Sequence, residues 1–385
     1  MALFTSSPVI LDGGFGTTLE ELFELDISQS PLWSAHHIVE NPGIIVAAHL
    51  AFMRAGAQIV LTSTYQASLS TFRKAGYSDL EAQHTMRKAV QLANDARTSF
   101  MKEKANQGEI KIALSLGPFG ASLSPAQEFD GFYPPPYGPM GFSDASDNYN
   151  SYGDDRESES KSIDALAQFH FDRLLTFAQH TETWKGIDII AFETVPLVRE
   201  VKAIRKAMTW LHQQLEAETP PLTPKPWWIS FVFPNGKCPE TKYAGGPNLT
   251  VRDLVGAALE WKDGERTPIP SGIGINCTPP DLIPSLVAEM ISAVKECRDD
   301  NLLALWLVLY PNGGEVYDIA TRTWKPRDKN VSWADFLGAF VNNLSHGGSE
   351  IWTGFAIGGC CRTGPNDIRS LKEVLSGHYS TSPSP

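Results

Sequence analysis

"VILDGGFGTT", residues 9–18, is the stretch whose reading decides the fold class. Its apolar start reads as a short buried strand, and Asp12, Gly13 and Gly14 read as the turn that ends it. An open dinucleotide-binding sheet would carry Gly-x-Gly-x-x-Gly here, with phosphate held on the following helix N-terminus. "GGFGTT" is too irregular to serve. The first strand therefore ends in a polar turn of another kind, and the rest of the chain repeats its pattern.

Seven further apolar segments follow: "QIVLTST" (58–64), "KIALSLG" (111–117), "DIIAFET" (188–194), "WWISFVF" (227–233), "GIGINCT" (272–278), "LLALWLVLY" (302–310) and "IWTGFAIGG" (351–359). Between them lie stretches such as "IIVAAHLAFMRAG" and "LVREVKAIRKAMTWLHQQL", whose apolar residues recur at three and four, the helical period. Strands alternating with helices predict βα units, and near-continuous Val, Ile and Leu predict a parallel sheet covered on both faces. Eight units in 385 residues predict a closed α/β barrel of the (β/α)8, TIM type, in one domain over 1–373. The remainder, 374–385, reads as a flexible tail. One segment breaks the pattern: roughly 118–162, rich in Gly, Pro, Tyr, Ser and Asp, is a long insertion after the third strand. Its aromatic residues predict partial order over the barrel mouth, and its "DDRESES" end predicts a solvated surface.

A formal charge of -12 argues against a phosphate-backbone partner, so neither DNA nor RNA is expected. The longest apolar run, 302–310, is half of what a membrane helix requires. The first residues lack the basic start and apolar stretch of a signal peptide, so a cytoplasmic protein with small-molecule partners is expected. Five cysteines, an odd number, point away from a disulfide framework and toward reduced thiols with metal or redox chemistry.

In a closed barrel the ligand site is built from the C-terminal ends of the strands. Those ends carry Asp12, Gly13 and Gly14; Thr62, Ser63 and Thr64; Glu193 and Thr194; Asn276 and Cys277; Tyr310, Pro311 and Asn312; and Cys360 with Cys361. Three of the five cysteines thus converge from the sixth and eighth strands, with Gly358 and Gly359 allowing a tight approach. Three thiolates around one point make a zinc motif with an open fourth position. A redox-switching pair, or a cysteine packed in the core, are the other readings of the same residues. Cys238 and Cys297 read as packing. None of the histidines falls at a strand end, and His36 and His37 read as surface or capping groups. Asp12 and Glu193 read as an acid/base pair, as anchors of backbone turns, or as carboxylates facing a substrate ammonium. Beside an open metal position, the last of these points to a sulfur-containing amino acid.

The stretches "LDGGFGTTLE", "PLWSAHHIVENPGIIVAAHLAFMRAGAQIVLTSTYQAS", "DIIAFETVP", "GIGINCTPP", "LVLYPNGGEVYD" and "IGGCCRTGPNDI" resemble the homocysteine S-methyltransferase family over about residues 8–373. The likeness is greater to its S-methylmethionine- and S-adenosylmethionine-using branch than to the betaine-using one. The resemblance implies a (β/α)8 barrel with zinc on Cys277, Cys360 and Cys361, the homocysteine sulfur completing the set. It implies that Glu193, helped by Asp12, takes the substrate ammonium, that Gly13 and Thr62 hold its carboxylate, and that Asn276 and Tyr310 line the pocket. Trp33, Tyr65, Tyr310 and Trp352 are candidate contacts for a cationic donor. A betaine-dependent transferase and a non-catalytic thiol or zinc sensor are the alternatives.

Overall fold

The computed structural model describes residues 3–25, 32, 35–104, 108–260, 267–297, 305–314, 316–318, 323–325, 332–346 and 351–377. Each apolar segment forms a strand: β1 (Val9–Ile10), β2 (Ile59–Leu61), β3 (Lys111–Leu116), β4 (Ile189–Val195), β5 (Trp227–Phe231), β6 (Gly272–Asn276), β7 (Leu305–Tyr310) and β8 (Trp352–Ile357). All neighbours pair in parallel, in the order β1-β8-β7-β6-β5-β4-β3-β2. The two ends of that order also meet. Gln58 N donates to Ile10 O at 2.7 Å, Asp12 N donates to Ile59 O at 3.0 Å, and Leu11 bridges Ile59 in parallel. The sheet is thus closed into the expected barrel, and no strand presents an unpaired edge there.

Alternation along the strands sorts the core into two layers. Leu11, Ile59, Ala113, Ala191, Trp228 and Trp306 fill the interior, whereas Ile10, Val60, Ile112, Ile190 and Leu307 pack outward against the helices. The tryptophans fit because glycine faces them: a Cβ on Gly354 would lie 2.6 Å from the Trp306 ring. The helices start on polar caps, as at Ser78, whose hydroxyl and the Glu81 carboxylate satisfy each other's backbone N–H.

The insertion is shorter than expected. A helix begins at Arg156, so "RESES" is its first turn and not loop. Asp155 caps it by accepting from Ser158 N, and Glu157 and Glu159 suit the positive end of the helix dipole. That end is largely solvent-exposed all the same. Residues 118–155 are held down at several points. Glu200 on the helix Val198–Ala217 accepts from Phe119 N at 2.7 Å, Tyr133 Oη at 2.8 Å and His170 Nε2 at 3.0 Å. Asn150 donates to Asp130 O and Pro239 O at 2.7 and 2.9 Å. At the other end of the chain, the helix Pro365–Gly377 runs past residue 373 and buries Leu375, so the tail drawn from 374 starts inside a helix; residues 378–385 lie outside the described residues.

Arg173, buried on the helix Arg156–Ala178, donates to Gly117 O at 2.7 Å, Ala67 O at 2.9 Å, Tyr65 O at 3.0 Å and Thr64 O at 3.2 Å. One guanidinium therefore ties the loops after β2 and β3 together. Arg173→Met leaves four carbonyls, three of them on buried residues, without this donor and should cost about 3 kcal/mol in urea unfolding. An unchanged unfolding midpoint would mean that water replaces the side chain.

Candidate metal and substrate site

The turn after β8 lies directly against the turn after β1. A Cβ on Gly358 would sit 2.5 Å from Asp12 O, and one on Gly13 would sit 2.5 Å from Thr363 O, so only glycine allows the two backbones this close. Gly359 N donates to Asp12 O at 3.0 Å, Cys360 N to Pro311 O at 2.9 Å and Gly313 N to Cys361 O at 2.8 Å. The ends of β1, β7 and β8 are thereby sewn together, and Cys277 N donates to Tyr310 O at 3.3 Å to bring in β6.

Cys277, Cys360 and Cys361 meet at this seam, their three Sγ atoms all within 4.8 Å of one another. The structure joins Cys277 and Cys360 as a disulfide with Cα–Cα 5.5 Å, where the sequence predicts reduced thiols. The cause is the same convergence: strand ends that place three sulfurs around one point also place two within bonding reach. With the pair reduced, three sulfur donors about 3.8 Å apart would suit a tetrahedral zinc ion. Burial pushes the Cys361 thiol up to about 11. Cys238, as expected, is a buried packing residue, its Sγ 3.8 Å from Pro196 O.

Two buried carboxylates share this end of the barrel. Glu193, at the end of β4, accepts from Ser115 Oγ and Tyr310 Oη, yet burial still pushes its carboxyl up to about 7. Asp12 is raised well above the usual carboxylate range, by burial first and with Glu193 adding to it. Its two oxygens differ: Oδ2 accepts from Leu61 N at 2.8 Å, so it does anchor the barrel closure, while Oδ1 is buried without a partner. Two acids that disfavour each other's charge in a desolvated space are poised to accept a cation.

Thr62 is less free than its strand-end position suggests. Its hydroxyl meets Thr64 Oγ1 at 2.7 Å and accepts from Ser115 N at 3.1 Å. Asn276 faces sideways: its Oδ1 accepts from Thr194 N and its Nδ2 donates to Thr194 Oγ1, both at 2.7 Å. Thr194 and Cys277 both have left-handed backbones, φ 58° and 46°, which cost non-glycine residues energy. The Asn276 clamp thus holds the strained residue next to Glu193. Tyr310 is fully buried, its hydroxyl shared with Ser230 Oγ and Trp228 Nε1 as well as Glu193.

Among the aromatic candidates, Tyr65 lies in the loop after β2, where its phenol hydrogen-bonds Thr194. Trp352 does not reach the site: it opens β8, at the end of the strand remote from Cys360, and packs in the outer core layer. Trp33 lies outside the described residues. His36 pairs with Glu40 at 3.1 Å on the short helix His36–Glu40. Ser115 carries the strand-end signal, at the close of "KIALSLG", that marks the other pocket residues. Arg173 and Glu200 carry no such signal, being single charges within helical stretches.

Residues 9–375 match the family model described as homocysteine S-methyltransferase. Homocysteine S-methyltransferase 1 of Zea mays is 30% identical over 96% of this chain and 94% of its own length. Two solved structures of the homocysteine methyltransferase MmuM from Escherichia coli are also similar, each aligned over 96% of both chains. The metallated form has a TM-score of 0.64 at 25% identity, and the oxidized form 0.65 at 26%.

Proposed function

The chain belongs to the homocysteine S-methyltransferase family, and on that premise we propose that it transfers a methyl group from a sulfonium donor, S-methylmethionine or S-adenosylmethionine, to homocysteine, giving methionine. The observation that carries the reading is the meeting of three cysteine sulfurs, within 4.8 Å of one another, at the same strand ends as Asp12 and Glu193. Reduced, Cys277, Cys360 and Cys361 would hold zinc and leave a position for the substrate sulfur. When bound, zinc would supply the ionised state of that sulfur, which a free thiol largely lacks at neutral pH.

The chain's own residues then place the substrate. Glu193 takes the ammonium, with Asp12 Oδ1 beside it, and the cation relieves the mutual repulsion of the two carboxylates. Gly13 holds the substrate carboxylate, joined by Thr62 once its hydroxyl turns from Thr64 Oγ1, and Asn276 and Tyr310 keep Glu193 in place from either side. With the amino-acid end fixed, the substrate sulfur is directed toward the cysteines. The reaction breaks the donor's methyl–sulfur bond, returns that electron pair to the donor sulfur and forms a new carbon–sulfur bond on homocysteine. A sulfonium already carries a neutral leaving group, so alignment of the two sulfurs is the main demand on the protein. Thiol ligands of this kind need a reducing compartment, in keeping with the cytoplasm.

Reduced, zinc-loaded protein offered S-methylmethionine, S-adenosylmethionine and betaine in turn tests the donor. A sulfonium should give kcat/KM at least about 100-fold above betaine, since the site has to be complementary to one transition state. Equal or better turnover of betaine would transfer the chain to the other branch.

A further inference from the structure

The end of β2 offers fewer hydrogen-bond donors than its residues suggest. The Thr64 hydroxyl lies 2.7 Å from Ser115 O, a carbonyl that only accepts, so the one proton of Thr64 is spent there. In the 2.7 Å contact between Thr62 Oγ1 and Thr64 Oγ1 the donor is therefore Thr62. The Thr62 amide is spent too, on Ala113 O at 2.9 Å. All three of Thr62, Thr64 and Ser115 are buried. Thr62 thus has no donor left over, although it stands between the two carboxylates of the site. The amide of Leu61, next to it, is held by Asp12 Oδ2 at 2.8 Å, and Ser115, whose N reaches Thr62 Oγ1 at 3.1 Å, gives its own hydroxyl to Glu193.

A substrate carboxylate accepts and does not donate, so it binds Thr62 only when the hydroxyl proton leaves Thr64. That turn moves the hydrogen alone: rotation about the Cβ–Oγ1 bond keeps the oxygen where Ser115 N reaches it. We propose that Thr64 sets the affinity for homocysteine by competing with its carboxylate for the Thr62 proton. Binding exchanges a neutral hydrogen bond for a charge-assisted one, which is roughly twice as strong. A thiol that lacks a carboxylate leaves the bond between Thr62 and Thr64 in place. The inference rests on the reading of Thr62 as a carboxylate contact and adds the residue that opposes it.

Thr64→Val removes the competing oxygen and keeps the shape. In zinc-loaded protein without methyl donor, homocysteine should bind about 5-fold tighter, the worth of one neutral hydrogen bond that no longer has to be broken. Stability to urea should fall at the same time, because Ser115 O and the Thr62 hydroxyl lose a partner. A residue that only supported the fold would weaken binding as it weakened the fold. Thr64→Ala, the second variant without the oxygen, should show the same gain, and Thr64→Ser, which restores it, should return the affinity to the wild-type value. The decarboxylated analogue of homocysteine should bind wild type and these variants alike. Thr62→Val should bind homocysteine more weakly, and adding Thr64→Val to it should give no gain, since the two residues act through one proton. Unchanged or weaker homocysteine binding in Thr64→Val and Thr64→Ala would overturn the proposal, and so would an equal gain for the analogue. Failure of the carboxylate reading itself is seen in wild-type protein, as equal binding of homocysteine and the analogue.

Discussion

Cys361→Ser should lose metal and turnover together. Reduced wild-type protein should carry zinc, and the variant little, with methionine formation down about 1,000-fold or more, because a neutral hydroxyl does not replace an anionic sulfur ligand. Cys277 and Cys360 then remain as two sulfurs where the site offers three. Cys297→Ser is the control: its thiol ends the helix Ile283–Cys297, away from the cluster, and should leave both quantities unchanged. Zinc bound per chain and methionine formed are measured on the same samples. Retention of both near wild-type levels in Cys361→Ser would remove that residue from the ligand set.

The second large effect concerns Glu193. Glu193→Gln keeps an acceptor for Ser115 and Tyr310 but removes the charge that faces the substrate ammonium. Homocysteine kcat/KM should fall about 100-fold or more, the size of a lost charge contact in a desolvated site. Stability should move the opposite way. The wild-type carboxyl is raised from its ordinary value of 4.5 to about 7, so the folded chain holds its proton more tightly than the unfolded chain does. That contribution is fully present below about pH 4.5 and is lost as pH rises through about 7. A glutamine has no proton to lose. In thermal unfolding without substrate, the variant should match wild type near pH 5 and exceed it by about 2 kcal/mol at pH 8.5. Undiminished homocysteine turnover, or a stability gain that does not grow with pH, would show that Glu193 has another role.

How much of this was legible beforehand differs by residue. The cysteine cluster follows from strand ends alone, because any barrel points the residues after its strands into one space. Glu193 follows for the same reason, and Ser115 stands in an equivalent place. Asp12 is half legible: its position marks it as polar at the mouth, but nothing local says that one oxygen closes the barrel on Leu61 N and the other stays open. Trp352 was misplaced because an aromatic near a cysteine pair in sequence can stand at the far end of the strand. The helix starting at Arg156 was hidden because its first turn is all polar, and its signal is the Asp155 cap and not an apolar period.

The order of apolar and polar residues along the chain was enough to determine eight parallel strands, their helices and the convergence of three sulfurs, since period and strand-end position are local properties. Tertiary structure alone decided which groups at that end are occupied and which are open. Asn276 clamps Thr194 across 82 residues, Arg173 binds four carbonyls at the feet of two loops, and Asp12 is left with one oxygen on Leu61 N and the other open. Such partners are chosen by distance in space after folding, and no spacing along the sequence encodes them.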